Sequence, residues 1–521
     1  MLRCSACRGV ALVTLAAFLA SCTHWTDPEP VAPSRFIGGT VSQAKLFLAD
    51  GRELTVHNPF IARDSMLWVD VAVETRTGQP VTDHGVPLAL IGAVRVEETD
   101  ATATTLLVLA GVGVTIAIVA AAGSSEPKSS PPPSSSACTG DCELSCPLVY
   151  SWNGHEWRLD SGTFGGAIMR ALERTDVDNL DFLAADSGVL RLKVANQQDE
   201  TDYLDALSIL ALDHDSGFSV APDAEGRLHT LGTPTDPIRA GDLAGRDALA
   251  RVARVDGWNW ESSPAIRDTS IAENLRDGLE LAFLRPAGAR FARLVVDANV
   301  TPWATAMMTA FIAAHGRGTQ AWYDSLAAAP ARARDFGAAL AHQAFLTASV
   351  WVNGAWRPQG LVWDAGPEIV KRQVVPLDLG NVAGDTVRVR LESIPSLWLV
   401  DHVALDYSTE RPVTVTELTP REATDRGGAD IRAALRAIDE QVLTLERGDS
   451  ARLTFSAPPV PSGKSRTYLL RSTGWYRIHS PLDTPPDVAT LQRVVGDPNG
   501  LSKEAVARMN AALVALERRA R

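Results

Sequence analysis

The sequence predicts a mainly β, multidomain protein of β-sandwich type, with a central helical insertion and one long apolar helix. Three observations carry this. Apolar–polar alternation, the period of a half-buried strand, recurs along most of the chain. Turn signals punctuate it: Asp50-Gly51, Asn153-Gly154 and Asn353-Gly354 each sit between apolar runs, the pattern of tight hairpins. Two stretches break the alternation, a charge-free run over 101–123 and a segment over 301–329 whose apolar residues fall at helical spacing. At 521 residues the chain exceeds what one core holds, so several domains are expected.

Taken in order, residues 1–21 read as a secretory signal ending at Cys22. Arg3 and Arg8 supply the positive start, and 10–20 is an apolar run shorter than the ~20 residues that cross a bilayer. The run closes on Leu19-Ala20-Ser21-Cys22, which resembles the lipobox of bacterial lipoproteins: an aliphatic residue, two small ones, then cysteine. The resemblance implies diacylglycerol on the Cys22 thiol, cleavage before that residue and acylation of the new amino terminus. An ordinary signal peptide with an incidental cysteine is the alternative. A chain so anchored sits on the periplasmic side or the cell surface. Thr23, where lipoproteins kept at the inner membrane often carry Asp, favours the outer membrane. Residues 22–35, with Pro28, Pro30 and Pro33, read as a tether.

Residues 36–98 alternate as strands and predict a small β domain of five or six of them. Lys45-Leu46-Phe47-Leu48, the Asp50-Gly51 turn and Glu53-Leu54-Thr55-Val56 form its clearest hairpin. The run 101–123 is long enough to span a bilayer, and Gly111 and Gly113 allow close helix packing. Yet its flanks are acidic, and a crossing would return the rest of the chain through the membrane that the lipid placed it outside. Three readings stand: a membrane-inserted helix, a helix buried against the β domain or a partner, or an oligomerisation stem. Residues 124–137, rich in Ser and Pro, form a linker.

Beyond it a β-rich domain is expected over 138–300, a helical insertion over 301–342, a second β domain over 343–410 and a mixed α/β region over 411–521. Thr301-Pro302 is the start signal of the insertion. Trp303, Met307, Met308, Phe311, Ile312, Trp322 and Leu326 follow at helical spacing, and a second helix is expected over 331–341. Residues 431–441 also read as helical, and 502–520 as an amphipathic helix. The run from Leu397 to Asp406 resembles the last strand of a galactose-binding-like jelly roll, which implies that fold for 343–410. Cys146-Pro147-Leu148-Val149-Tyr150-Ser151-Trp152, with the Asp160 to Ile168 stretch, resembles a block of large bacterial surface and periplasmic proteins. Val375-Pro376-Leu377-Asp378-Leu379 resembles their downstream β region. That resemblance, over about 146–476, implies a cell-envelope protein and no assigned activity.

A net charge of −13, with the arginines scattered among acidic residues, argues against nucleic acid, whose phosphates need clustered Lys and Arg. Membrane attachment must then come from lipid or apolar sequence. Cys138, Cys142 and Cys146 lack the C-x-x-C pairs of a zinc site. In an oxidising compartment a disulfide between two of them is the better reading, with all three pairings open and the third thiol free or linking chains. Asp176, Asp178 and Asp181 set carboxylates at the short intervals that calcium ligands need, or else form a solvated acidic loop. Asp213-His214-Asp215 reads either as a metal or imidazole-orienting trio or as surface turn chemistry. Gly-x-Ser-x-Gly and His-Glu-x-x-His are absent, and Ser125-Glu126-Pro127-Lys128 falls in the linker. No cofactor motif is present. Among 13 tryptophans, Trp258 and Trp260 in Gly257-Trp258-Asn259-Trp260-Glu261 are the best candidates for stacking on a sugar. The function expected is a non-catalytic, lipid-anchored cell-envelope module that binds glycan or an envelope protein. The alternative is a glycosidase-like hydrolase whose two carboxylates meet only in space.

Overall fold

Among the described residues the alternating segments form thirty strands, and the chain is mainly β. The computed structural model describes residues 23–99, less 27, 29, 30, 32–35, 37–40, 42, 58, 63, 64, 69–71, 76, 78 and 82–84, and residues 147–519, less 263, 364, 365 and 480–482. Cys22, the apolar run 101–123, the linker 124–137 and Cys138, Cys142 and Cys146 lie outside the described residues. Among those described, no helix is long and apolar enough to cross a membrane, so the long apolar helix expected of the fold is not among the elements seen. The chain divides into two compact units, residues 1–141 with 512–521, and residues 142–511.

The first unit lays down β1 (Thr23–Trp25), β2 (Gln43–Leu48), β3 (Glu53–His57), β4 (Phe60–Ala62), β5 (Ser65–Leu67), β6 (Ala72–Glu74), β7 (Pro80–Val81), β8 (Gly85–Pro87) and β9 (Ile91–Thr99). They form a six-stranded sheet, in order β1-β9-β2-β3-β6-β7, and a three-stranded sheet β4-β5-β8. Strict alternation puts Ala44, Leu46, Leu54 and Val56 inside with Phe36, Ile61, Met66 and Trp68. The Asp50-Gly51 turn closes as expected: Leu48 N–H donates to Arg52 O at 2.9 Å, and Gly51 takes φ +84°. The tether differs from expectation. Thr23–Trp25 pairs antiparallel with the end of β9, since extended backbone next to an open sheet edge gains ladder hydrogen bonds.

The second unit is a nest of insertions. Its outer module begins with β10 (Leu148–Trp152), β11 (Trp157–Gly162), β12 (Arg174–Asn179), β13 (Val189–Ala195) and β14 (Glu200–Asp215). The chain then leaves through the small hairpin β15 (Ser219–Pro222) and β16 (Leu228–Leu231). It builds β17 (Arg239–Asp242), β18 (Trp260–Glu261), β19 (Asp277–Leu284) and β20 (Phe291–Val300). Three helices follow: α1 (Pro302–Ala313), α2 (Thr319–Ala327) and α3 (Pro330–Ala344). Strands β21 (Leu346–Val352), β22 (Ala355–Val362), β23 (Lys371–Asp378), β24 (Thr386–Ser393) and β25 (Trp398–Asp406) complete the inserted part. The outer module resumes with β26 (Thr414–Leu418), β27 (Glu422–Asp425), β28 (Leu443–Leu445), β29 (Ser450–Ser456) and β30 (Lys464–Ile478). Two helices follow, α4 (Val488–Gly496) and α5 (Gly500–Arg519), the latter divided between the two units after residue 511.

Sheet order shows the nesting. In the outer module β11-β10-β13-β29-β27 joins three early strands to two late ones and β12-β30-β14-β26 alternates early and late, and the two sheets share one core that includes Leu192, Ile209, Leu453 and Leu470. The inserted sandwich faces β17-β19-β24-β21-β22 against β18-β25-β20-β23 over Phe283, Leu294, Val389 and Val403. The domain borders expected at 300, 342 and 410 therefore cut through sheets. The sandwich needs strands from both sides of the helices, so 343–410 is not a domain alone, and β29 and β30 belong with β13 and β14. Strand β25 forms where the 397–406 run places it.

The two Asn-Gly hairpins form differently. Asn353 and Gly354 are a two-residue turn with φ +51° and +81°, between paired Val352 and Ala355. At 153–156 the loop has four residues, only Gly154 is at positive φ, and the Asn153 side chain accepts the N–H groups of His155 and Glu156 at 2.9 Å. Both hairpins carry an edge-on tryptophan pair behind the turn, Trp152–Trp157 at 5.5 Å and Trp351–Trp356 at 5.1 Å. The helix expected over 431–441 is one turn, Ala433–Leu435. Asp430 and Asp439 accept backbone N–H groups two residues on, which holds the chain in turns instead.

Candidate functional site

Thr301 starts the helical insertion as its sequence directs. Its hydroxyl accepts the Ala304 N–H at 3.3 Å and donates to Ser396 O at 2.6 Å, while Pro302 takes the first helical position. The helix expected over 301–329 is interrupted at Gly316, which sits at φ +49° where a Cβ would meet the Thr484 carbonyl. Helix α1 holds no charged residue, and its apolar residues go all round it, so one face cannot satisfy them. Its start packs on the sandwich through Ala304 and Met307, and its end enters the outer core with Phe311 and Ile312. Helix α3 makes the return journey, from Ala333 and Phe336 in the outer core to Ala341 at the sandwich.

Between α1 and α3, closed on another side by α4 and the start of α5, lies a cavity of about 890 Å³. Met307, Met308, Phe311, Trp322, Phe336, Leu340, Phe345, Leu397, Leu491 and Val494 make its walls. Exposed Asp335, Ala339 and Val495, the last at 80%, mark its mouth. The aromatic end is tightly interlocked: Phe336 stacks on Phe311 at 5.8 Å, Trp322 meets Phe311 edge-on at 5.8 Å, and His315 lies 4.3 Å from the Trp322 ring.

Few polar groups face this volume. Burial lowers the His315 pKa, so the ring is neutral; its Nδ1 is 3.1 Å from Phe311 O, which can only accept. The Tyr476 hydroxyl accepts the Gly166 N–H at 3.3 Å. Gln343 is 7% exposed, and its carboxamide oxygen accepts from Ser502 N–H at 3.1 Å and Ser502 Oγ at 3.2 Å. The charged lining groups are carboxylates, Asp335 and Asp497, and Asp497 is paired with Lys503 at 2.5 Å. No Lys or Arg is among the lining residues. Size and character match a small-molecule site, for which ~300–1,000 Å³ and mostly apolar walls are usual.

The residues singled out in the sequence lie elsewhere. Trp260 is 6% exposed in the sandwich core, because β18 pairs with β25 and turns that ring inward. Trp258 is 37% exposed, with the Arg251 guanidinium 4.0 Å over its ring. The two do not form a sugar-stacking groove. Asp176 and Asp178 are on strand β12, not in a loop. Asp176 accepts from Arg174 and the Phe164 N–H, while Asp178 is buried and accepts from Ser161 Oγ at 2.7 Å. Asp181 follows the strand and is exposed, so the three carboxylates do not converge on an ion. Among the described residues no group of three His, Cys, Asp or Glu could hold a metal. Asp213, His214 and Asp215 are ladder partners of β30: Arg466 grips Asp213 with two bonds of 2.7 and 2.8 Å, Thr467 meets His214, and Lys464 meets Asp215.

Two facing carboxyls do occur, Glu173 and Asp205. Burial, with the hydrogen bond and charge of Asp205, raises Glu173 to about 7. Neither residue lines the cavity, so this pair is not set at a pocket that could hold a sugar. Comparison with protein-family models, with curated proteins and with solved structures finds no match for this chain. The cavity itself was legible in one respect, the excess of apolar residues around α1; α4, which closes it, was missed because Val488 to Gly496 is short and lies between proline-rich turns.

Proposed function

We propose that this chain is an exported, lipid-anchored binding protein that holds one elongated apolar molecule of the acyl-chain class between α1, α3 and α4. The cavity of about 890 Å³ with its apolar walls is the observation that supports it. Each buried methylene adds ~0.8 kcal/mol, so a chain of about ten gains enough, after ordering costs, for binding near the micromolar range. The cell envelope, to which residues 1–22 direct the chain, is rich in such molecules.

The fluorescent apolar probe N-phenyl-1-naphthylamine tests the site. Wild type should bind it with a blue shift and quench Trp322, and Ala304→Phe, which fills the cavity from α1, should weaken binding at least tenfold with an unchanged circular dichroism spectrum. Equal binding by both proteins, or none by wild type, would sink the reading. The anchor is tested separately by mass spectrometry of the mature N-terminal peptide from membrane fractions. A lipid-bearing Cys22 is expected, with loss of membrane retention in Cys22→Ala; a variant that stays membrane-bound points instead to the 101–123 run.

A further inference from the structure

Resting on that reading, the chemistry of the lining also says what head group the ligand carries. We infer that the occupant is an uncharged single-chain lipid with an ester or amide carbonyl, the monoacylglycerol class, and that Gln343 donates to that carbonyl.

Gln343 is the most buried lining residue with a free donor. Its oxygen is occupied by Ser502 N–H and Oγ, and its amide nitrogen has no partner among the described residues. That nitrogen keeps solvent access through the cavity; an occupant that shuts out water leaves it without an acceptor, which is costly, and a carbonyl oxygen is the group that satisfies it. Position agrees. Gln343 lies one helical turn, ~6 Å, from Ala339 at the mouth. A carbonyl there lets the chain lie against the apolar walls, Met308, Phe311 and Phe336 among them. His315 sets the far end: with its Nδ1–H given to Phe311 O, only a lone pair on Nε2 remains, and that ring offers an anion nothing.

Charge excludes the acid form of the same chain. A carboxylate brought into this volume would lose its hydration without gaining a cation, and its nearest charged neighbours in the lining would be Asp335 and Asp497. A free fatty acid is therefore the wrong ligand although its tail fits.

Displacement of the bound naphthylamine probe by 1-monolauroylglycerol and by laurate at pH 8 decides this. The glyceride should compete at least tenfold more tightly than laurate. Gln343→Met should weaken the glyceride about three- to tenfold relative to the probe, the weight of one neutral hydrogen bond. Because Gln343 also holds Ser502, Ser502→Ala is run beside it: this variant removes the Ser502 hydroxyl contact, keeps the Gln343 donor, and should retain the wild-type preference for the glyceride. Thermal melts confirm that both are folded. Laurate binding as well as the glyceride, a glyceride affinity indifferent to Gln343→Met, or an equal loss in Ser502→Ala overturns the head-group assignment while the cavity reading survives. A wild type that binds no probe overturns the cavity reading itself.

Discussion

Glu173 and Asp205 meet where β14 departs from its register. The shift between Leu204 and Ala206 leaves Asp205 out of the ladder, and its carboxylate turns inward to accept the Asp439 N–H at 2.9 Å and to face Glu173. Burial first, then Asp205, moves Glu173 from 4.5 to about 7. The folded state therefore holds a proton that the unfolded chain releases. The stability this proton contributes is complete below pH 4.5 and is lost as pH rises towards and through 7. Glu173→Gln keeps the hydrogen bond without the proton. In urea unfolding it should be more stable than wild type at pH 8 by about 1 kcal/mol, allowing for solvent screening of a half-buried group, with the gap closing at pH 5. A gap of the same size at both pH values would show that the fold does not hold a proton on Glu173.

At the scale of elements, what was legible was local chemistry. Asp50-Gly51 and Asn353-Gly354 fix their turns because positive φ at those residues is decided within four positions. Thr301-Pro302 starts α1 for the same reason, a hydroxyl and a missing N–H at the first turn. What was illegible depended on partners far along the chain. Asp176 and Asp178 look like a loop because β12 is made a strand by β30, about three hundred residues on. Asp213-His214-Asp215 looks like a site because Lys464, Arg466 and Thr467, its counterparts, are invisible from within the segment. Trp260 looks like a platform because the strand that buries it, β25, comes later. The cavity suffered in the same way: α1 announced more apolar surface than one face needs, but α3, α4 and Gln343 were required to give that surface a volume and a polar contact.

For the whole molecule, the nesting governs which parts can stand alone. All three strands that pair with β14 lie beyond residue 411, as does the strand that continues the sheet past β13. A chain ending at residue 411, where the sequence suggested a border, should therefore lack near-ultraviolet circular dichroism from its outer module and be largely insoluble, since β14 would be an apolar strand without neighbours. Soluble, monomeric protein with native spectra would mean that the early strands hold together without the late ones. The inserted sandwich is placed economically. Asp213 pairs with Thr414, so the chain departs from and returns to the outer module at one spot, the geometry that lets one domain interrupt another.

That arrangement sets a timetable. Arg466 reaches Asp213 across 253 residues of sequence, so during synthesis the outer strands must wait for the tail of the chain while the helices and the sandwich between them can already form. Assembly runs from the inside outward. The walls supplied by α1 and α3 come first, and the cavity gains its remaining side only when α4 arrives near the end. A chain crossing a membrane amino terminus first would thus leave β14 without β30, its longest partner, until residues 464–478 had followed, which makes that one strand the lock on everything before it.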